Sequence, residues 1–233
     1  VEKYNPPVPA ELAGEVKGAF PGFLVKTDET RIQAVENVQV EDQLLNGVLH
    51  RHRGRRVFAT EKLDGTSVTM YLYEGEFGVC SRNLDLVETS KNTLWKVARE
   101  LDVEARIQST GRNLALQGEL IGPNIQRNRY KLDEHKVAFF NVFDIDKHTF
   151  LGRPEFEAAL HKFDLESVPL VDEFDLDHTV EELVEMSEAP SVLNAKQTRE
   201  GIVVRSVEES RDEELGRLSF KVISPKFLLK GGD

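Results

Sequence analysis

Apolar and polar positions alternate from Val57 to Cys80 in a way that predicts a series of short strands. Val57-Phe58-Ala59 begins the series, and Ser67–Tyr73 follows with Val68, Met70 and Leu72 on one face. Glu74-Gly75-Glu76 marks a tight turn into Phe77-Gly78-Val79-Cys80. Side chains on a strand point to opposite faces in turn, so this pattern buries one face. The spacing changes at Thr93. Leu94, Trp95, Val97, Ala98, Leu101 and Val103 recur at helical intervals and predict one helix over 93–107. Strand character returns at Leu114–Ile121, which Gly122-Pro123 ends, and in the Phe-rich run Val137–Ile145. Helices are expected at Pro154–Phe163, where proline suits a first turn, and at Thr179–Met186. Gly201–Val207 and Leu218–Ile223 close the series as strands. Strands that mostly follow one another through hairpins, with helices interspersed, predict an α+β fold. Its sheets are largely antiparallel and flanked by helices, rather than parallel and doubly wound. Residues 1–22, rich in Pro and Gly, read as an extended lead-in.

Composition narrows the class. The 233 residues are 39% hydrophobic and 30% charged, a globular mixture long enough for a substantial core. No apolar stretch approaches the length of a membrane span. The single cysteine, Cys80, excludes a disulfide framework and a multi-cysteine zinc site, and points to a reducing, intracellular setting. The six histidines show no metal-ligand spacing. A net charge of −11 argues against non-specific coating of nucleic acid. It leaves room for a local basic surface, and His50-Arg51-His52-Arg53-Gly54-Arg55-Arg56 is the candidate run. Arg55 and Arg56 are its candidate contacts to a polyanion, with solvent as the equal alternative.

Candidate chemistry centres on Glu61-Lys62-Leu63-Asp64-Gly65-Thr66-Ser67. In an extended strand Lys62 and Asp64 share one face while Glu61 and Leu63 share the other, and Gly65 permits a turn or a close approach to a ligand. A lysine beside a carboxylate acts as a nucleophile once it loses its proton, from an ordinary pKa near ~10.4.

With its companions, this segment resembles a known superfamily. Lys62-Leu63-Asp64-Gly65 is similar to motif I of the covalent nucleotidyltransferases, which include ATP-dependent ligases and capping guanylyltransferases. Ser81-Arg82-Asn83, Gly118-Glu119-Leu120, Phe140–Ile145, Glu200–Val204 and Phe220-Lys221-Val222 resemble the later motifs in family order. Glu61, Thr66 and Ser67 resemble the RNA ligase branch rather than DNA ligases or capping enzymes, which usually carry Arg at the position of Ser67. Segments Lys26–Gln33 and Lys226–Lys230 resemble a subgroup in which an OB-fold domain precedes the catalytic domain.

The resemblance implies a nucleotidyltransferase (ATP-grasp-like) fold. Residues 1–56 would supply the lead-in and first elements, and 57–233 the catalytic core. An N-terminal OB domain would belong to the full-length protein. The implied activity is RNA joining with ATP, for RNA repair and nick sealing. Lys62 would form lysyl-AMP, the AMP would pass to an RNA 5′-phosphate, and a 3′-OH would displace it. Lys221 and Arg82 would assist, with Arg82 on ribose or a terminal phosphate. Glu61 would read the adenine amino group and Phe140 would stack on the base. Asp64, Glu119 and Glu200 would hold Mg²⁺ or Mn²⁺ directly or through water. Arg55 and Arg56 would touch RNA or the ATP tail. Motif V of many ligases is Lys-x-Lys, whereas Ile223 stands in the second place here, so either one lysine suffices or Lys226, or a basic residue elsewhere, supplies the second charge. A DNA ligase, a capping enzyme and a non-catalytic nucleotide- or RNA-binding module are the alternatives.

Overall fold

The computed structural model describes residues 16–229, so the expected lead-in lies mostly outside it. In chain order the strands begin with β1 (Val16–Ala19), β2 (Thr30–Arg31), β3 (Asn37–Val40), β4 (Gln43–Asn46) and β5 (Arg56–Lys62). Next come β6 (Thr66–Tyr73), β7 (Glu76–Cys80), β8 (Leu84–Leu86), β9 (Leu114–Ile121), β10 (Lys136–Asp144) and β11 (Thr149–Phe150). The last are β12 (Leu170–Asp175), β13 (Gly201–Ser206), β14 (Arg211–Asp212), β15 (Gly216–Arg217) and β16 (Ser219–Ile223). The α-helices are α1 (Gly47–Arg51), α2 (Thr93–Glu100), α3 (Val103–Gln108), α4 (Arg153–Phe163), α5 (Val180–Ser187) and α6 (Pro225–Leu229).

Two sheets carry the fold. One has the order β1-β8-β7-β6-β9-β10-β11, the other β12-β5-β13-β16-β2. Only the short β16–β2 contact within them is parallel, as the hairpin-rich sequence pattern leads one to expect. Each sheet has its own apolar core. Val68, Met70, Leu116 and Phe139 of the first pack on Trp95, Ile107 and Leu160 from the helices. Val57, Ala59, Ile202 and Val222 of the second pack on Leu183 of α5 and on Ile32 and Leu49. Among the described residues, no helix is long and apolar enough to cross a membrane.

Several expected boundaries shift for local reasons. The single helix expected over 93–107 is two, because Asp102 between α2 and α3 takes a left-handed backbone with φ near +49°. Aspartate tolerates that conformation better than most residues. Both pieces bury their apolar faces in one core, so the sequence spacing runs on across the break. α5 begins one residue later than expected because Thr179 is its cap. The Thr179 hydroxyl accepts from the Glu182 N–H while the Glu182 carboxylate accepts from the Thr179 N–H.

The chain crosses from one sheet to the other at Leu63-Asp64-Gly65, between β5 and β6. Gly65 is required there by close approach of backbone, not of a ligand. A Cβ at this position would lie 2.3 Å from the Leu120 carbonyl oxygen of β9. Gly201 is similar, with Val222 O at 2.1 Å from such an atom. Both glycines let strands from different parts of the chain close around Lys62.

Candidate active site

A cavity of about 370 Å³ opens where the two sheets meet. Strand alternation decides what faces it. On β5, Val57 and Ala59 point into the core behind the sheet, so Thr60 and Lys62 point the other way. Pairing sets Lys62 opposite Gly201 and Thr60 opposite Val203. Val203 lies opposite Lys221 on β16 in turn. Lys62 and Lys221 therefore share one face of the five-stranded sheet. Asp64 comes from the crossing segment, Glu119 from β9 of the other sheet, and Glu200 from the residue before β13. Four segments distant in sequence thus converge on one place.

Lys62 Nζ donates to Glu200 Oε1 at 2.5 Å. Burial works to lower the pKa of this ammonium, but Glu200, Glu119 and Asp64 outweigh it and the net displacement is upward. The carboxylates show the complementary effect. Burial, with Glu200 and Asp64 nearby, pushes Glu119 up to about 8 even against the pull of Lys62. Burial and Glu200 push Asp64 up to about 6, opposed by Arg129 at 3.6 Å and by Lys62. Three carboxyl groups crowd together around Lys62 and raise one another's pKa, so a cation among them would be favoured.

The donor chemistry fits a hard divalent ion, because every candidate ligand is a carboxylate oxygen. Among the described residues, no group of three His, Cys, Asp or Glu side chains is placed to hold a metal by itself. Asp64, Glu119 and Glu200 offer hard oxygen donors of the kind that Mg²⁺ takes beside its own waters.

Phe140 owes its exposure to a defect in a strand. β10 pairs Phe139 with Gly118 and Asn141 with Gln117, so Phe140 is an extra, unpaired residue. Such a bulge re-aims a side chain. Phe139 and Phe143 are fully buried, whereas Phe140 lines the cavity half-buried. Arg82 also lines the cavity, its guanidinium paired with Asp28.

Three expected roles change. Glu61 borders the cavity, but alternation turns its carboxylate to the face opposite Lys62. There Oε2 accepts from the Val192 N–H at 2.7 Å, while Oε1 is buried without a hydrogen-bond partner among the described residues. Its carboxylate secures the loop before β13 rather than standing beside the lysine. Arg55 and Arg56 lie at the far end of β5, six residues from Lys62 in the case of Arg56, a distance of ~20 Å along a strand. Arg55 donates to Ser210, and Arg56 pairs with Glu173 at 3.0 Å and Asp175 at 3.5 Å. The rest of the basic run is likewise balanced. Arg51 and His52 meet Asp212, and Arg53 meets Asp177. Acidic residues distant in sequence meet Arg51, His52, Arg53 and Arg56, which is why the sequence alone made the run look more cationic than it is.

Sequence reasoning missed residues that the fold brings in. Thr27, Asp28 and Glu29 line the cavity, as does Arg205. Thr27 Oγ1 lies 2.8 Å from Ser67 Oγ, and Glu29 Oε1 accepts from Arg205 Nη2 at 3.1 Å. Tyr130 Oη accepts the Asp64 N–H at 2.7 Å and fixes the crossing segment. A signal for Arg205 existed: it follows Gly201 and Val203 at steps of two, on the same face of one strand. Only the fold reveals the others.

A lysine ringed by carboxylates, with a second lysine and an aromatic ring on a cleft between two antiparallel sheets, defines a nucleotidyltransferase site. The RNA ligase family model matches residues 55–223. The chain is similar to Naegleria gruberi RNA ligase, solved as a mutant with ATP and Mn, at 35% identity and a TM-score of 0.86. That match covers 99% of this chain and 65% of that one. Structures of the same ligase with AMP and Mn, and with PPi, match at 36% identity and a TM-score of 0.86 over the same shares of both chains. No curated protein sequence matches. The chain belongs to the RNA ligase family, has its nucleotidyltransferase fold, and spans about 65% of the length of these solved relatives.

Proposed function

We propose that this chain carries the catalytic centre of an ATP-dependent RNA ligase, working with Mg²⁺ or Mn²⁺. One observation carries the reading: Lys62 Nζ is held at 2.5 Å from Glu200 within a ring of carboxylates, at the wall of a cavity the size of a nucleotide site. Membership of the family and the ATP, AMP and Mn of the solved relatives support it.

In this reading Lys62 attacks the α-phosphorus of ATP. An N–P bond forms, the bond to the bridging oxygen breaks, and pyrophosphate leaves. Lys62 must first give up a proton, which its three carboxylate neighbours oppose while they are unneutralised. A divalent cation, when bound, supplies the positive charge that offsets them and the growing charge on the phosphate. Lys221, on the same sheet face, adds a fixed positive charge toward the same phosphate. With Ile223 in the second motif V place, Lys221 is the one motif V lysine that acts. Phe140 offers its ring to the adenine, and Arg82 exchanges Asp28 for ribose or phosphate oxygens. The AMP then passes to an RNA 5′-phosphate, and a 3′-OH attacks the activated end and releases AMP.

The test is incubation with ATP labelled at the α-phosphate and a divalent cation, then denaturing electrophoresis. Protein-bound label that pyrophosphate discharges supports the reading. Its absence from folded protein refutes it.

A further inference from the structure

The connection between β9 and β10 bends its backbone in an unusual way. Asn124, Gln126, Arg127, Asn128 and Lys131 all take left-handed conformations, with φ between +42° and +64°. A side chain makes that conformation unfavourable, so surrounding contacts must hold it in place. Asn128 donates its side-chain N–H to Leu132 O at 2.8 Å and accepts the Leu132 N–H at 3.0 Å. Asn194, from the loop before β13, donates to Arg129 O at 2.9 Å.

This bent backbone brings two consecutive side chains to one residue. Tyr130 Oη accepts the Asp64 N–H at 2.7 Å, and Arg129 Nη1 lies 3.6 Å from Asp64 Oδ2. Tyr130 holds the backbone of Asp64, and Arg129 holds its carboxylate. Arg129 is itself fixed from the other side. The carbon of its guanidinium sits 4.4 Å from the centre of the Phe227 ring, which is buried in α6, so the cation rests on an aromatic face. The side chains of Arg129 and Asp64 are each 16% exposed, so solvent screens the pair only weakly. Asp64 lines the cavity and Arg129 does not, so Arg129 reaches the reacting centre only through Asp64. Lys62 meanwhile gives its hydrogen bond to Glu200. Asp64 is thus held by a cation that stands outside the cavity.

Building on the ATP reading above, we propose that Arg129 is a positioning residue for adenylylation of the lysine, which fixes the aim of the Asp64 carboxylate from behind the cavity wall. Arg129→Met and Arg129→Lys, made in the full chain, test this. Methionine keeps an apolar stem against Phe227 and removes the charge, whereas lysine keeps the charge. One measurement is the rate of protein labelling by α-labelled ATP with divalent cation, followed over a range of ATP concentrations. The other is thermal melting without metal, which also takes in Asp64→Asn and the double variant Arg129→Met with Asp64→Asn.

Arg129→Met is expected to label about 10-fold or more slowly at saturating ATP, since slight misplacement of a group at a reacting centre costs up to ~10²-fold. The ATP concentration giving half the maximal rate is expected to stay near the wild-type value. Arg129→Lys is expected to recover most of the lost rate. In melting, Arg129→Met is expected to lower the Tm more with Asp64 present than in the Asp64→Asn background, because only the first strands a carboxylate without its partner. A double variant that folds where Arg129→Met alone does not would support the pairing equally. Labelling at the wild-type rate by folded Arg129→Met would overturn the proposal and leave Arg129 a packing residue. So would an equal loss of rate in Arg129→Lys, an equal loss of Tm in both backgrounds, or failure of the single and double variants alike to fold. Wild-type protein that takes no label would overturn the ATP reading instead, and the melting comparison would still decide whether Arg129 holds Asp64.

Discussion

Replacing Glu119 by Gln sets stability against function in one side chain. Burial and the neighbouring carboxylates lift the Glu119 pKa from 4.5 to about 8. A carboxyl bound more tightly to its proton in the folded state favours folding at low pH. That contribution is complete below the unfolded value and is lost as pH rises through the folded one. At ~1.4 kcal/mol for each tenfold, the full penalty above pH 8 has an upper bound of about 5 kcal/mol. Glu119 is partly open to the cavity, and water there screens the effect, so about 2 kcal/mol is the working figure. In a chain of this size that corresponds to roughly 4–8 °C in melting temperature. Melting of wild type and Glu119→Gln, without metal, from pH 5 to pH 9 measures it. The variant is expected to gain little at pH 5 and progressively more up to about pH 8.5. Adenylylation by the same variant is expected to collapse, because the cation loses a ligand. An advantage that does not change with pH, or a variant less stable than wild type at pH 9, would refute the charge argument.

Other expectations follow from single contacts. Phe140→Ala is expected to weaken ATP binding while costing folding only about 1–2 kcal/mol, well below the ~3–5 kcal/mol of a fully buried Phe; an equal loss in both measurements would make it a core residue. Gly65→Ala is expected to abolish folding or lower the melting temperature sharply, since its Cβ would meet Leu120 O at 2.3 Å; a variant that melts like wild type would contradict the close approach. Arg55→Ala with Arg56→Ala is expected to leave ATP labelling unchanged, because both side chains lie at the far end of β5; a clear loss would mean that the cavity extends along the whole strand.

Local pattern carried much of this fold into view. β9 spans the residues that alternation and the Gly122-Pro123 stop marked out. β13 and β16 lie within a residue of expectation. Lys62, Asp64, Glu119, Glu200 and Lys221 were each legible as motif residues, and all line one cavity. Long-range pairing was not legible. Nothing in Phe139-Phe140-Asn141 announces a bulge, since the extra residue is defined by the register against β9. Strand alternation already set Glu61 on the face opposite Lys62, and it was the resemblance alone that placed its carboxylate at the adenine. The run from His50 to Arg56 looked like a polyanion surface because Asp175, Asp177 and Asp212 lie far off in sequence. Glu29 was hidden for the same reason: its meaning comes from Arg205, 176 residues away.

The central claim is that Lys62 becomes covalently attached to AMP. Wild-type protein and Lys62→Ala, both shown to be folded by melting, should be incubated with α-labelled ATP and Mg²⁺ or Mn²⁺ and then denatured. The expected result is label on wild type, released by added pyrophosphate, and none on Lys62→Ala. Equal label on the variant, or no label on either protein with either metal, would contradict it.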